Sequence, residues 1–290
     1  MNTTLKGSAL KKNIINNVKE LPPMPGILMK AREVLDSPTA GFKELANIVK
    51  TDQALGIKLL RLANSAYYSR RNRISSLKDA AVILGFQTLS EIIFIASASR
   101  HMNKELPGYG LSTGAIWRHS LAVAFIAKII ANKSQPEIGY EAFSAGLIHD
   151  SGKIILDPYI LENKQEFNAC MEEEGNTHFE AEKKVLGFDH ATIAALIGKR
   201  WNFPNHIIQG IRYHHNPSRF RGGKLSLILF IADCIALWGD SKTTYYSADV
   251  VGQRMEKRGF DLDQLESLLK EVIDIGVFDY INEMENNLIT

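Results

Sequence analysis

The chain has 290 residues, 45% of them hydrophobic and 23% charged, with a formal net charge of +2, which is ordinary for a globular protein with a substantial core. Two features lead to the expectation of neither a membrane span nor a secretory signal. The longest apolar run, LSLILFIADCIALWG (225–239), is too short to cross a bilayer and carries Asp233 inside it, and the N-terminus MNTTLKGSALKKN lacks a continuous apolar stretch and a cleavage site. The two cysteines, Cys170 and Cys234, match no metal or redox spacing, so a reduced, cytoplasmic protein is expected.

In chain order the apolar residues recur at helical spacing in 27–35, 42–49, 54–66, 79–86 and 89–99. Ser37-Pro38 and Thr51-Asp52 supply start signals for the second and third of these, and SRRNR (69–73) stops the third. LPGYGLSTG (106–114) is rich in Gly and Pro and marks the best internal boundary. Helices are then expected near 115–131, 141–156, 162–174, 178–186, 190–201, 204–215 and 224–238, followed by two or three amphipathic helices in the tail. No alternating run suggests a sheet, and the fold class is all-α. Residues 1–100 hold 15 Lys/Arg against 7 Asp/Glu, whereas 240–290 hold 5 against 11. The two halves either complement one another within the fold or face a charged partner. The basic patch Arg70, Arg71, Arg73 with Tyr67 and Tyr68 is short and lacks any recognition motif around it, which argues against nucleic acid as a partner.

The residues that carry chemistry sit in GLIHDSGK (146–153), where His149, Asp150 and Lys153 interrupt an apolar, small-residue stretch. Buried charge is costly unless paired or bound to metal. Five of the eight histidines join two aspartates in one pattern: His119, His149-Asp150, His190, His214-His215 and Asp233. Expected on five different helices, these groups match the way helical bundles assemble metal sites from facing side chains. Neighbours on a helix diverge by about 100°, so the doublets suit a site wider than one ion, with Asp150 bridging two metals. Lys153, on the same side of the helix, either holds Asp150 ionised or meets an anionic substrate. Ordinary readings exist for each element. His119 fits a core histidine, Asp189 an N-cap ahead of His190, His214-His215 a helix C-terminus, and Asp233 an ion-pair partner of Arg200, Arg212 or Lys153.

The order H…HD…K…H…HH…D resembles the HD superfamily of metal-dependent phosphohydrolases. LPPMPGILMKAREVL, TDQALGIKLLRLANSAYYS and ISSLKDAAVILGFQTLSEI, followed by HDSGK, FDHATIAALIGKRWNFP and IRYHH, resemble the HDOD (HD-related output domain) family across residues 14–240. That resemblance implies an N-terminal helical subdomain (14–105) packed on an HD-like helical subdomain (115–240), with 241–290 as a C-terminal helical extension. It implies a bacterial signal-transduction output module whose partners are signalling proteins or a small nucleotide-like ligand. Many members have lost the superfamily's ligands. Here the set is intact on His119, His149, Asp150, His190, His214, His215 and Asp233, with Lys153 at the superfamily's lysine position. The double histidine runs on into NPSRFRGG without the Gly-Tyr-Pro loop of the HD-GYP phosphodiesterases, so cyclic di-GMP hydrolysis has no direct support. Ala115 stands four residues before His119, where some trinuclear relatives carry a glutamate, and the expectation is one or two divalent ions.

Nitrogen and oxygen donors without thiolate suit iron, manganese or zinc. A dinuclear site with Asp150 and Lys153 as catalytic groups, and Arg219 or Arg221 contacting phosphate, would make the chain a phosphohydrolase. A regulatory module that uses the same pocket for binding is the other reading, and the sequence leaves both open.

Overall fold

The computed structural model describes residues 12–14, 16, 53–64, 73–173, 176–219, 223–239, 252–253 and 262–289. The helices expected at 27–35 and 42–49 lie outside these residues, as do Tyr67, Tyr68, Arg70, Arg71 and Arg221. The described residues form helices and turns with no β-strand, and their one β-bridge joins Leu106 to Leu111 across a tight turn. The chain divides into two compact units, one of Met1–Leu21 with Lys104–Val277 and the other of Pro22–Asn103 with Phe278–Thr290.

In the second unit, α1 (Gln53–Ala63), α2 (Leu77–Leu84) and α3 (Phe86–Met102) pack on one another. Asn64 ends α1 and explains part of the NSAYY stretch. Its amide donates to Leu60 O and Ile74 O, both at 2.8 Å, and its carbonyl accepts from Ile74 N–H at 2.7 Å. The incoming chain is thereby tied to the helix it has just left. Ser76 then caps α2 by accepting from Asp79 N–H.

The first unit is built on α4 (Ala115–Ser134), which packs along α5 (Gly139–Ile148) and α11 (Lys224–Gly239). Chain order continues through α6 (Gly152–Glu162), α7 (Lys164–Glu172), α8 (His178–Leu186), α9 (His190–Arg200) and α10 (Asn205–Arg212), and α12 (Leu262–Asp274) packs against α11. α13 (Val277–Ile289), after its first residue, belongs to the second unit. Local signals set these boundaries. A Thr177/Glu180 capping box opens α8, and Gly187 closes it at φ 81°, a left-handed conformation that glycine adopts without strain. Asp189 caps α9, accepting from Thr192 N–H at 2.7 Å.

One expected helix is two. The run 141–156 breaks at 149–151 into α5 and α6. Both flanks of the break lie too close to a neighbour for any side chain. A Cβ on Gly146 would come within 2.7 Å of Ala124 Cα, and one on Gly152 within 2.1 Å of His190 O. The glycines at the two ends of GLIHDSGK therefore let α5 touch the α4 backbone and α6 touch the start of α9.

The Gly/Pro-rich boundary is not a loose linker. Asp157 Oδ1 accepts from Gly108 N–H at 2.8 Å, and Lys164 Nζ donates to Pro107 O at 3.0 Å and Gly108 O at 2.6 Å. This clamp fixes the 106–111 turn and buries the Tyr109 ring.

Candidate metal centre

All seven residues of the sequence pattern converge in the first unit, each of them buried. Most of them sit at helix ends. His149 and Asp150 occupy the α5–α6 break, His190 is the first residue of α9, and His214-His215 lie in the turn after α10. His119 and Asp233 alone project from helix interiors, of α4 and α11. The expected helix 204–215 ends at Arg212, and this releases the two histidines from the divergence that a helix would impose.

Asp150 is the centre of the cluster. Its Oδ1 lies 3.1 Å from His190 Nε2 and 3.6 Å from His149 Nε2, while its Oδ2 lies 3.7 Å from His119 Nε2 and accepts from Lys153 Nζ at 2.7 Å. Burial alone would raise the carboxyl pKa. The charges of Lys153, His149 and His190 outweigh it and hold Asp150 well below the usual carboxylate range. On the far side of the cluster, His119 Nε2 stands 3.1 Å from Asp233 Oδ1.

Two donor triads result, His119/His149/Asp150 and His190/His214/His215, each with ligand atoms within 4.8 Å of one another. The protonation pattern of two of the imidazoles fits a cation. His149 Nδ1 is 2.7 Å from Gly146 O, and His214 Nδ1 is 2.6 Å from Ile211 O. Each Nδ1 must carry the proton to bond a carbonyl, so each Nε2 presents a lone pair to the interior. Neither Nε2 has a hydrogen-bond partner among the described residues, although both are buried. Burial, joined by the neighbouring His149 and His190, lowers the His214 pKa to about 3, and burial lowers that of His149. Neutral imidazole is the ligating form. The His215 and His190 Nε2 atoms also face each other at 2.7 Å. Buried imidazole nitrogens together with the Asp150 and Asp233 carboxylates are the donor set of a divalent transition metal, and the residues present fit that group.

Two residues that the sequence pattern did not mark complete the cluster. Glu182, fully buried on α8, accepts from His190 N–H at 2.6 Å, and both its oxygens lie 2.8 Å from His190 Nδ1. Tyr109 Oη donates to Glu182 Oε1 at 2.8 Å. Glu182 thus fixes the His190 ring with Nε2 inward, the role that outer-shell carboxylates play for metal-bound histidines. Burial lowers the His190 pKa, but the Glu182 and Asp150 carboxylates overcome it and push the value up to about 9. In the sequence, HFEAEKKVL reads as a charged surface helix. The available signal is spacing, because Glu182 falls on the same helical stripe as Phe179 and Leu186.

Lys153 lines the cavity at the cluster, together with Thr177, His178 and Phe179. Its volume is about 20 Å³, room for an ion or a water but not for a phosphoester. The expected phosphate contacts lie elsewhere: Arg219 lines a separate, outer pocket, and Arg221 is outside the described residues. No described helix is long and apolar enough to cross a membrane.

A crystal structure of an HDOD domain protein of unknown function from Geobacter sulfurreducens is 25% identical, with a TM-score of 0.74 over 95% of this chain and 97% of that one. A candidate phosphohydrolase from Shewanella amazonensis SB2B, also 25% identical, superposes with a TM-score of 0.69 over 95% and 97% of the two chains. An uncharacterised protein of Treponema pallidum (strain Nichols) is 22% identical over 71% of this chain, a match that spans only 40% of that relative's length. The model of the HDOD domain family matches residues 21–217, about two thirds of the sequence. That match covers more than half of the sequence and the described fold is helical, so the chain belongs to the HDOD domain family.

Proposed function

We propose that the chain is a signal-transduction output module, with residues 14–240 as its HDOD domain, whose HD pocket holds one or two divalent metal ions and which acts by binding a ligand or a protein. The observation that carries this reading is the pairing of two donor triads with a cavity of only about 20 Å³. Such a pocket can retain ions that brace five helices, yet it has no room beside them for a substrate phosphoester. His119, His149, Asp150, His190, His214, His215 and Asp233 would hold the metal. Lys153 keeps Asp150 ionised, and Glu182 keeps His190 oriented.

A second reading, a metal-dependent phosphohydrolase, is favoured by the intact cluster and by Lys153 at the cavity edge. Bound divalent ions supply Lewis-acid charge at a phosphoryl oxygen. Within that reading, Lys153 offers a cation to the incoming anion, Asp150 positions both donor triads, and the apolar neighbours exclude bulk water. Metal analysis of protein purified without chelator, followed by a phosphodiesterase and nucleotidase screen, separates the two. Metal-loaded protein inert across the panel supports the regulatory module. Turnover abolished by His149→Ala and Asp150→Ala establishes the enzyme, and absence of bound metal in wild-type protein overturns both.

A further inference from the structure

The first unit holds a second cavity, outside the histidine cluster, of about 270 Å³. Lys183, Phe188, Arg212, Tyr213, Asn216 and Arg219 line it. They come from the end of α8, the turn before α9, the end of α10 and the short 3-10 turn at 217–219. Three cations face this space against one carboxylate, Asp189. That carboxylate is already committed, since it caps α9 through Thr192 N–H and pairs with Lys183 at 3.5 Å. Arg212 and Arg219 have no carboxylate partner among the described residues. Cations gathered around one concavity raise the local potential for an anion, and guanidinium forks match phosphate oxygens two at a time.

The aromatic groups narrow the ligand. The Arg212 guanidinium lies 5.8 Å from the centre of the Tyr213 ring, and Phe188 lines the same cavity. A planar ring can stack among such walls. A volume of about 270 Å³ lies just below the usual range for small-molecule sites, which suits a single phosphorylated ring compound better than a dinucleotide. Phe179 supplies a shared wall. It lines both this cavity and the inner one, and its ring centre is 4.6 Å from that of His215. An occupant of the outer pocket therefore presses on the residue that backs the donor cluster.

We propose that this outer pocket binds a small phosphate monoester carrying a planar ring, of the mononucleotide class, one side chain away from the metal centre. This names the ligand class for the regulatory reading and rests on its ligand-binding half. The binding itself requires no metal.

The test is calorimetric titration of the full chain at low salt with AMP, inorganic phosphate and adenosine, with bound metal measured on the same samples. AMP should bind the wild type, and the Arg212→Ala/Arg219→Ala double variant should bind it at least about tenfold more weakly. Phosphate alone and adenosine alone should each fall short of AMP by a similar factor. Should the double variant not fold, Arg212→Lys/Arg219→Lys keeps the charge, loses the fork and should still weaken AMP. No AMP binding by folded wild type, equal AMP affinity in wild type and a folded variant, or phosphate binding as tightly as AMP overturns the proposal. Metal-loaded protein that ignores AMP sinks the outer pocket and leaves the metal reading standing. AMP binding by protein that never takes up metal supports the pocket and removes the metal reading.

Discussion

Glu182→Gln tests how the cluster is held together, in chelator-treated protein where the His190 ring titrates freely. The wild-type carboxylate accepts from three donors: His190 N–H, His190 Nδ1 and the Tyr109 hydroxyl. Glutamine keeps the volume but offers one acceptor oxygen, and its amide hydrogens find an acceptor only if Tyr109 Oη or His190 Nδ1 gives up its own donated bond. The larger of the two carboxylate charges that hold His190 near pKa 9 also disappears, while Asp150 remains. A folded value of about 9 against 6.5 unfolded corresponds to about 3 kcal/mol of stability. Because the folded pKa is the higher one, that stability is fully present below pH 6.5 and is lost as pH rises through about 9. Urea unfolding of wild type should therefore show stability falling by about 3 kcal/mol between pH 6 and pH 9.5 from this group. Glu182→Gln should reduce that slope and unfold up to roughly 6–12 °C lower at pH 6, from the usual relation between free energy and melting temperature in a domain of this size. A wild-type profile flat over this window, or a variant with the same slope, would refute the reasoning.

Three further outcomes follow from particular contacts. At a metal concentration one hundred times its Kd, wild type should gain about 2.7 kcal/mol of stability, and Asp150→Ala, which removes the carboxylate shared by the cluster, should gain almost none by thermal shift. Gly152→Ala places a Cβ against His190 O, and should cost about 1–3 kcal/mol in urea unfolding while also weakening metal binding through the displaced α9 start. Asn64→Ala removes three local hydrogen bonds in the other unit, and should cost about 2–3 kcal/mol with metal affinity unchanged.

Much of the helical architecture is legible in the sequence because apolar spacing and capping residues are local signals. Asp189 before α9, Thr177 with Glu180 before α8, and the Gly187 stop all read directly from the chain. The order of His119, His149, Asp150, His190, His214, His215 and Asp233 also announces a common centre, since buried imidazoles and carboxylates need partners. What does not read is the geometry that brings them together. Periodicity runs unbroken through 141–156 because Leu147 and Ile154 keep the apolar rhythm across the break, and the close approach that forces Gly152 involves His190 O, remote in sequence. Glu182 and Tyr109 are hidden for a related reason. Each looks like surface or linker in its own segment, and only the tertiary meeting of α8, α9 and the 106–111 turn gives them a shared hydrogen-bond network.

Five of the seven cluster residues lie where helices begin or end, and this has a kinetic consequence. Helix termini are the segments that open at least cost, because their last backbone groups lack intrahelical partners. A cluster carried on helix interiors could exchange its contents only by prying packed helices apart. Here, loosening the turn after α10 would expose His214 or His215 while α4, α5 and α11 stay packed, whereas the start of α9 is held by Asp189 and Glu182. The centre is nearly closed to solvent, and fraying of the turn after α10 is the least costly route into it that leaves the core packed.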